Sequence, residues 1–330
     1  MWQIAVDEPV AFELLSPRSL EEAVDLAARH GRDGALMAGG SDLLDQLKQH
    51  RRTPRYVINL KTIPGLRTLS VTGDHISIGA LTTLGEVERN PELKRVCAGL
   101  TLAASRVATP QIRNVGTLGG NLLQDSRCPY YRGPWYCYRA GGIQCDARHG
   151  MNQEHAIFGG NRCYTVSPSD TAPALIALGA TATIHGATAQ QLLVEDLFMP
   201  PNESITVMHR VAPGSVLSEI TIPVRAGTRS TFIKYAMRNS WDFAIASVAA
   251  ALRVENGKAR DVRIVLGGVA PIPWRSKDAE REIEGRALDQ TTIESAARAA
   301  IAGAHPLAHN EYKIALVKTL VRTALMELAQ

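Results

Sequence analysis

Two Gly-Gly turns constrain this chain most. The first, Ala38-Gly39-Gly40-Ser41-Asp42, follows a short apolar strand over residues 35–38 and leads into a helical pattern over 42–48. The second, Thr117-Leu118-Gly119-Gly120-Asn121, repeats the chemistry with a hydroxyl, two glycines and an amide. Glycine at such a junction lets the backbone approach a ligand closely and point successive N–H groups at phosphate oxygens. A helix N-terminus behind the turn adds a favourable dipole. One such pair alone reads as a tight turn. Two of them, each flanked by Ser or Thr and by Asp or Asn, suit a dinucleotide diphosphate gripped from two sides. Neither matches G-x-G-x-x-G or the P-loop pattern, so a nicotinamide or ATP site is not supported.

The rest of the chain reads as mixed helix and strand. Ser19-Leu20-Glu21-Glu22 is a capping-box pattern opening a helix with Leu20, Ala23, Val24 and Ala27 on one face, ending near Gly31. Residues 56–60 form a strand closed by Pro64 and Gly65, and a strand at 75–78 precedes a helix over about 92–107, stopped by Thr109-Pro110. Regular pattern returns at 173–178, 181–185 and 217–223, while 211–215 and 225–230 read as loops. The last hundred residues predict strands at 232–235, 249–254 and 262–266 and helices at 291–303 and 310–328. In the final helix Ile314, Val317, Val321, Ala324 and Leu328 form a packing stripe. No internal repeat is visible.

With 330 residues, two or three packed units are expected, and no disulfide or metal is needed to hold a core of that size. The net charge of +4 is spread out, with no basic block longer than Arg51-Arg52, which leaves no footprint for nucleic acid. No run approaches the roughly 18 apolar residues of a membrane span. Met1-Trp2-Gln3-Ile4-Ala5 lacks the charged and apolar regions of a signal peptide.

Residues 122–165 carry no sustained period yet hold Tyr130, Tyr131, Trp135, Tyr136 and Tyr138, which argue against disorder. They also hold Cys128, Cys137, Cys145 and Cys163, separated by eight, seven and seventeen residues. Structural zinc sites and ferredoxin-type clusters both favour shorter spacings, so spacing alone does not name a metal. Buried unpaired thiols are the plain alternative. His149 and His155 read as substitute ligands or as polar loop residues. Cys97 lies in an apolar helical stretch and reads as core.

The segments Met37-Ala38-Gly39-Gly40-Ser41-Asp42-Leu43 and Ile112-Arg113-Asn114-Val115-Gly116-Thr117-Leu118-Gly119-Gly120-Asn121 resemble the two FAD loops of the xanthine dehydrogenase/carbon monoxide dehydrogenase flavoprotein family. Pro168-Ser169-Asp170 with 174–180 is similar to the segment whose aspartate approaches the flavin's ribityl and ring region. Phe232-Ile233-Lys234-Tyr235 with Arg238, Asp242 and Ala244 resembles the start of the family's C-terminal domain. The resemblance implies an α+β fold. Its FAD-binding domain would be of the vanillyl-alcohol oxidase/carbon monoxide dehydrogenase flavoprotein type, in two subdomains (1–65 and 66–226, with the cysteine-rich insertion at about 122–165). An α+β C-terminal domain would cover 227–330.

It further implies FAD held by Ala38, Gly39, Gly40, Ser41, Asp42, Leu43, Thr117, Gly119, Gly120, Asn121, Asp170 and Lys234, with no catalytic residue for the organic substrate on this chain. The cysteine insertion is similar to that of a cluster-containing subset, the flavin subunits of periplasmic aldehyde oxidoreductase and of 4-hydroxybenzoyl-CoA reductase. Arg127-Cys128-Pro129-Tyr130-Tyr131 and 155–160 look closer to the aldehyde oxidoreductase form. By that resemblance Cys128, Cys137, Cys145 and Cys163 ligate a 4Fe–4S cluster. The implied partners are a molybdopterin-binding large subunit and a 2Fe–2S small subunit. The implied role is an oxidoreductase subunit passing electrons between the 2Fe–2S centres and an external acceptor. A self-sufficient FAD oxidase of the same fold and a zinc-stabilised interaction protein are the rivals. The expected location is cytoplasmic, or periplasmic by export with a signal-bearing partner.

Overall fold

The computed structural model describes residues 8–330; the stretch Met1-Trp2-Gln3-Ile4-Ala5 lies outside the described residues. Three separate sheets organise the chain. The first is parallel, with Tyr56–Asn59 between Glu13–Leu15 and Gly34–Met37. The helix Leu20–His30 buries Ala23 and Ala27 in a cluster with Ile58 and Leu60. Ser19 caps it by accepting from the Glu22 amide at 3.2 Å, but the Glu22 carboxylate accepts from the Arg18 amide at 2.7 Å. The return arm of the predicted capping box is thus displaced by one residue. Gly31, at φ 49°, stops the helix as expected.

The second sheet is antiparallel, in the order Leu69–Val71, His75–Gly79, Val216–Pro223, Thr181–His185, Gln190–Leu193. Its two neighbouring strands His75–Gly79 and Val216–Pro223 are joined by a long excursion that carries the second glycine turn and the cysteine-rich segment. Along that excursion the predicted helix over 92–107 is broken into Pro91–Val96 and Ala98–Ser105, because Cys97 between them leaves the helical region at φ −144°, ψ 57°. The break turns the second helix onto the third sheet, where the Gly99 amide donates to Ser230 Oγ at 3.0 Å. Cys97 itself is core, as read.

The third sheet is antiparallel, in the order Trp274–Arg275, Lys258–Gly267, Ala246–Glu255, Arg229–Tyr235. Asn256 and Gly257, both at positive φ (51° and 73°), turn the central hairpin. Such a pair is a strong hairpin signal, and it extends both strands beyond their apolar cores at 249–254 and 262–266. The first strand starts at Arg229, inside the stretch read as a loop. Alternation splits the faces: Phe232, Ala249, Ala251 and Val265 share a core with the second sheet, while Val248, Ala250, Leu252 and Ile264 pack with the C-terminal helices. In the helix Tyr312–Ala329, Val317, Val321, Ala324 and Leu328 are buried as the stripe predicts. Lys313 is buried with them. Among the described residues no helix is long and apolar enough to cross a membrane.

The cysteine-rich stretch contains only the short helix Pro129–Arg132 and the 3-10 turns Tyr138–Ala140 and Asp146–Arg148. It is irregular, as its lack of period predicts.

Candidate functional site

The two glycine turns meet in space and together line one cavity of about 520 Å³, a size ordinary for a cofactor site. Residues 38–43 line it, together with Thr117, Gly119, Gly120, Asn121 and Asp170. Thr117 caps the helix Leu118–Leu122 by accepting from the Gly120 amide at 3.0 Å.

The glycines do different work. A Cβ on Gly39 would lie 2.0 Å from the Val115 carbonyl oxygen, and one on Gly119 would lie 2.8 Å from Ala80 Cβ. These two are glycine because backbone meets backbone. Gly40, at φ 82°, provides the left-handed turn into the helix Leu43–Lys48. At the first turn the wall is therefore bare main chain, the surface a diphosphate would need, while the Leu118, Gly119, Gly120 and Asn121 amides of the second turn are bonded to Thr82, Ala80 and Thr117.

Asn121 Oδ1 accepts from Ser169 Oγ and Thr171 Oγ1, both at 2.7 Å, which ties the second turn to the segment bearing Asp170. Asp170 and Lys234 form a buried pair at 2.7 Å. Burial, against the pull of the Lys234 ammonium, holds the Asp170 carboxyl above its ordinary value. Lys234 also donates to the Arg106 and Asp242 carbonyls at 3.0 and 2.8 Å. It does not line the cavity. It stands behind Asp170 and fixes it.

Asp42 lines the cavity, yet protein donors occupy its carboxylate. It accepts from Gln46 Nε2 at 2.9 Å, the Asp125 amide at 2.8 Å, Arg127 at 2.9 Å and Arg132 at 2.8 Å. Four donors fill the lone-pair sites of a carboxylate. Asp42 thus joins the first turn to the cysteine-rich segment. A second ionic knot, Arg139 on Asp125 with the Tyr131 hydroxyl at 3.0 Å, lies beside it. Burial opposes ionisation of Asp125, but Arg139 keeps its carboxyl below the usual range. Arg127 lines the cavity and its guanidinium lies 5.3 Å from the centre of the Phe243 ring. Sequence reasoning missed Arg127, Arg132 and Arg139, whose partners are distant or outside any motif.

Cys128 follows Arg127 directly. Burial, foremost, pushes its thiol up to about 12, and the charges of Cys163 and Cys145 add to this. Cys163 is pushed up to about 11 by burial, with Cys145 and Cys137 adding. Cys145 is raised in the same way, with Cys137 close enough to contribute. All four sulfurs therefore share one neighbourhood. Backbone amides of Tyr130 and Tyr131 serve Cys128, those of Ala147, Arg148 and Tyr164 serve Cys145, and that of Thr165 serves Cys163. His155 Nε2 lies 3.3 Å from Cys128 Sγ. Among the described residues no group of three or more His, Cys, Asp or Glu is arranged to hold a single metal ion.

A cavity of this size, lined by a parallel α/β unit, an antiparallel α/β unit and a further α+β domain and bearing two glycine turns, suits a dinucleotide-binding protein. Residues 10–225 match the model of the FAD binding domain in molybdopterin dehydrogenase, and 231–328 match that of the CO dehydrogenase flavoprotein C-terminal domain. The chain belongs to the FAD-binding subunits of the xanthine dehydrogenase/CO dehydrogenase family of molybdenum hydroxylases, and is an FAD-dependent oxidoreductase subunit. It is similar to the aldehyde oxidoreductase FAD-binding subunit PaoB of Escherichia coli, 32% identical over 92% of this chain and 93% of the relative. The carbon monoxide dehydrogenase medium chain of Hydrogenophaga pseudoflava is 28% identical over 96% of each. A solved carbon monoxide dehydrogenase from the same organism superposes with a TM-score of 0.77 at 27% identity, over 97% of this chain and 98% of that one.

Proposed function

We propose that this chain is the FAD- and 4Fe–4S-containing electron-transfer subunit of a heterotrimeric molybdenum hydroxylase of the aldehyde oxidoreductase type. In this reading it passes electrons between the 2Fe–2S centres of a small subunit and an external acceptor, while hydroxylation takes place on a molybdopterin-binding large subunit. The partners are supported by the relatives, several of which are named medium chains or medium subunits of such enzymes.

One observation carries the cluster reading. Four buried or half-buried thiols stand together beside the FAD cavity, and in Cys128, Cys145 and Cys163 burial and the neighbouring thiols raise the cost of ionisation. Buried thiolates this close are expensive unless a positive centre joins them. A four-iron cluster takes one cysteine on each iron, so its ligands stand further apart than those of a single ion. The backbone amides directed at three of the sulfurs supply the hydrogen bonds that bound thiolates need. Cys128, Cys137, Cys145 and Cys163 would hold the cluster.

FAD supplies a centre that exchanges electrons singly with iron–sulfur groups and in pairs with an acceptor. The chain's own residues position it. Gly40 would present main chain to the diphosphate, the second turn would pack beside it, Asp170 is held towards the cavity by Lys234, and Arg127 and Phe243 line the side nearest Cys128. The arginine–cysteine step in the chain is the shortest covalent link between the two sites.

The test is chemical analysis of anaerobically purified protein. Iron and acid-labile sulfide in equal amounts, together with FAD released by acid precipitation, are expected. Zinc or no metal in protein that retains FAD would overturn the cluster. Aldehyde turnover by the chain without its partners would instead favour a self-sufficient oxidase.

A further inference from the structure

Segment 152–156 of the cysteine-rich stretch is anchored by residues from the far end of the chain. The His309 amide donates to Asn152 Oδ1 at 2.9 Å and the Tyr312 hydroxyl to the Gln153 carbonyl at 2.9 Å. Lys313 Nζ donates to the Glu154 carbonyl at 2.8 Å and Asn310 Nδ2 to the His155 carbonyl at 3.0 Å. Asn152, Asn310 and Lys313 are fully buried. A backbone held at each of these residues leaves the His155 side chain little freedom. Its ring is buried, lies 6.0 Å from the Tyr130 ring centre, and brings Nε2 to 3.3 Å from Cys128 Sγ. Nδ1 is buried with no partner.

We propose that His155 donates an N–H···S hydrogen bond to Cys128 and thereby sets the reduction potential of the cluster that Cys128 ligates. This rests on the 4Fe–4S reading above. A metal-bound cysteine sulfur can only accept, so Nε2 must carry the hydrogen. In the neutral ring Nδ1 is then a bare acceptor, which matches its lack of a partner. The other tautomer would bury an unpaired N–H donor, the rarer kind of orphan. A hydrogen bond to a ligand sulfur draws charge off it and favours the more negative, reduced state of a cluster. The other donors to the cysteine sulfurs are backbone amides, which side-chain substitution leaves in place. His155 is therefore the handle by which this effect can be measured. It acts through Cys128 and is a positioning residue.

The experiment is an EPR-monitored redox titration of the assembled complex carrying wild-type chain, His155→Leu or His155→Gln, with iron and FAD contents measured on each sample. Expected are full iron and FAD in both variants and a more negative cluster midpoint in His155→Leu. His155→Gln, which keeps an N–H, should move back towards wild type, and the flavin midpoint should not change. An unchanged cluster midpoint in iron-replete His155→Leu would overturn the proposal. So would loss of iron from both variants with FAD retained, since that makes His155 a ligand or a structural post. Wild-type complex with FAD and no iron beyond that of its 2Fe–2S centres would sink the cluster reading itself, and this inference with it.

Discussion

The glycine-walled cavity and the cysteine-rich stretch sit side by side and differ in what side chains contribute to holding them. In the cavity, main chain packs on main chain: Gly39 lies against the Val115 carbonyl and Gly119 against Ala80. In the cysteine-rich stretch, backbone turns are tied down by side chains, through Arg132 on Asp42, Arg139 on Asp125, and the Asn310 and Lys313 clamp. The first kind of contact tolerates no added atom. The second tolerates loss of one partner at a graded cost. The contrast teaches that the FAD site is a shape and the cysteine site a network, and substitutions should tell them apart.

The largest effect is expected from Gly39→Ala. Its Cβ cannot coexist with the Val115 oxygen, so the two turns must part, at a cost of about 3 kcal/mol or more. Urea unfolding and the flavin absorbance of purified protein read this; a variant with full flavin and unchanged stability would break the contrast. Arg132→Met should come next. The Arg132 side chain is 8% exposed, but Asp42 keeps Arg127, so the loss should fall below the full cost of an orphaned buried charge, at about 2 kcal/mol. A loss as large as that of Gly39→Ala would show the network to be as unforgiving as the cavity.

A smaller, pH-dependent effect belongs to Lys313. Burial lowers its ammonium from 10.5 to about 7. Between those values the unfolded chain binds the proton and the folded chain does not, so stability rises with pH through that window and is flat below it. Wild-type protein should gain about 1 kcal/mol from pH 7 to 8 that Lys313→Met does not gain. Parallel urea titrations at the two pH values check this, and equal slopes would refute it. The smallest effect is expected from Tyr136→Ser. That side chain is 70% exposed, so stability should stay within about 0.5 kcal/mol and flavin content unchanged. A larger drop in the unfolding midpoint would mean that the network reaches the surface.

The two regions also differed in how far they could be read from residues alone. Gly39, Gly40, Gly119 and Gly120 announce themselves because a missing side chain is a local signal, although two of the four turn out to serve loop-to-loop contact. Asp42 looked like a residue facing a ligand. Its partners Arg127 and Arg132 lie 85 and 90 residues away, and no local pattern pairs them. Lys313 was hidden differently, since it adjoins a clean apolar stripe and reads as an ordinary helical lysine. Its two acceptors, the Glu154 and Gly268 carbonyls, come from other elements. The break at Cys97 was likewise invisible, because it is imposed by docking onto Ser230 rather than by a helix-breaking residue.

The clamp on segment 152–156 has a consequence for how the chain is made. Asn310 and the His155 carbonyl it holds are 155 residues apart. At the usual pace of synthesis, about 5–20 residues per second, roughly 8 to 30 seconds separate their translation. Throughout that interval the nascent chain already contains Cys128, Cys137 and Cys145 and has no bolt across them. The order of manufacture thus leaves this part of the protein open until near the end, and whatever fills it has a door that closes late.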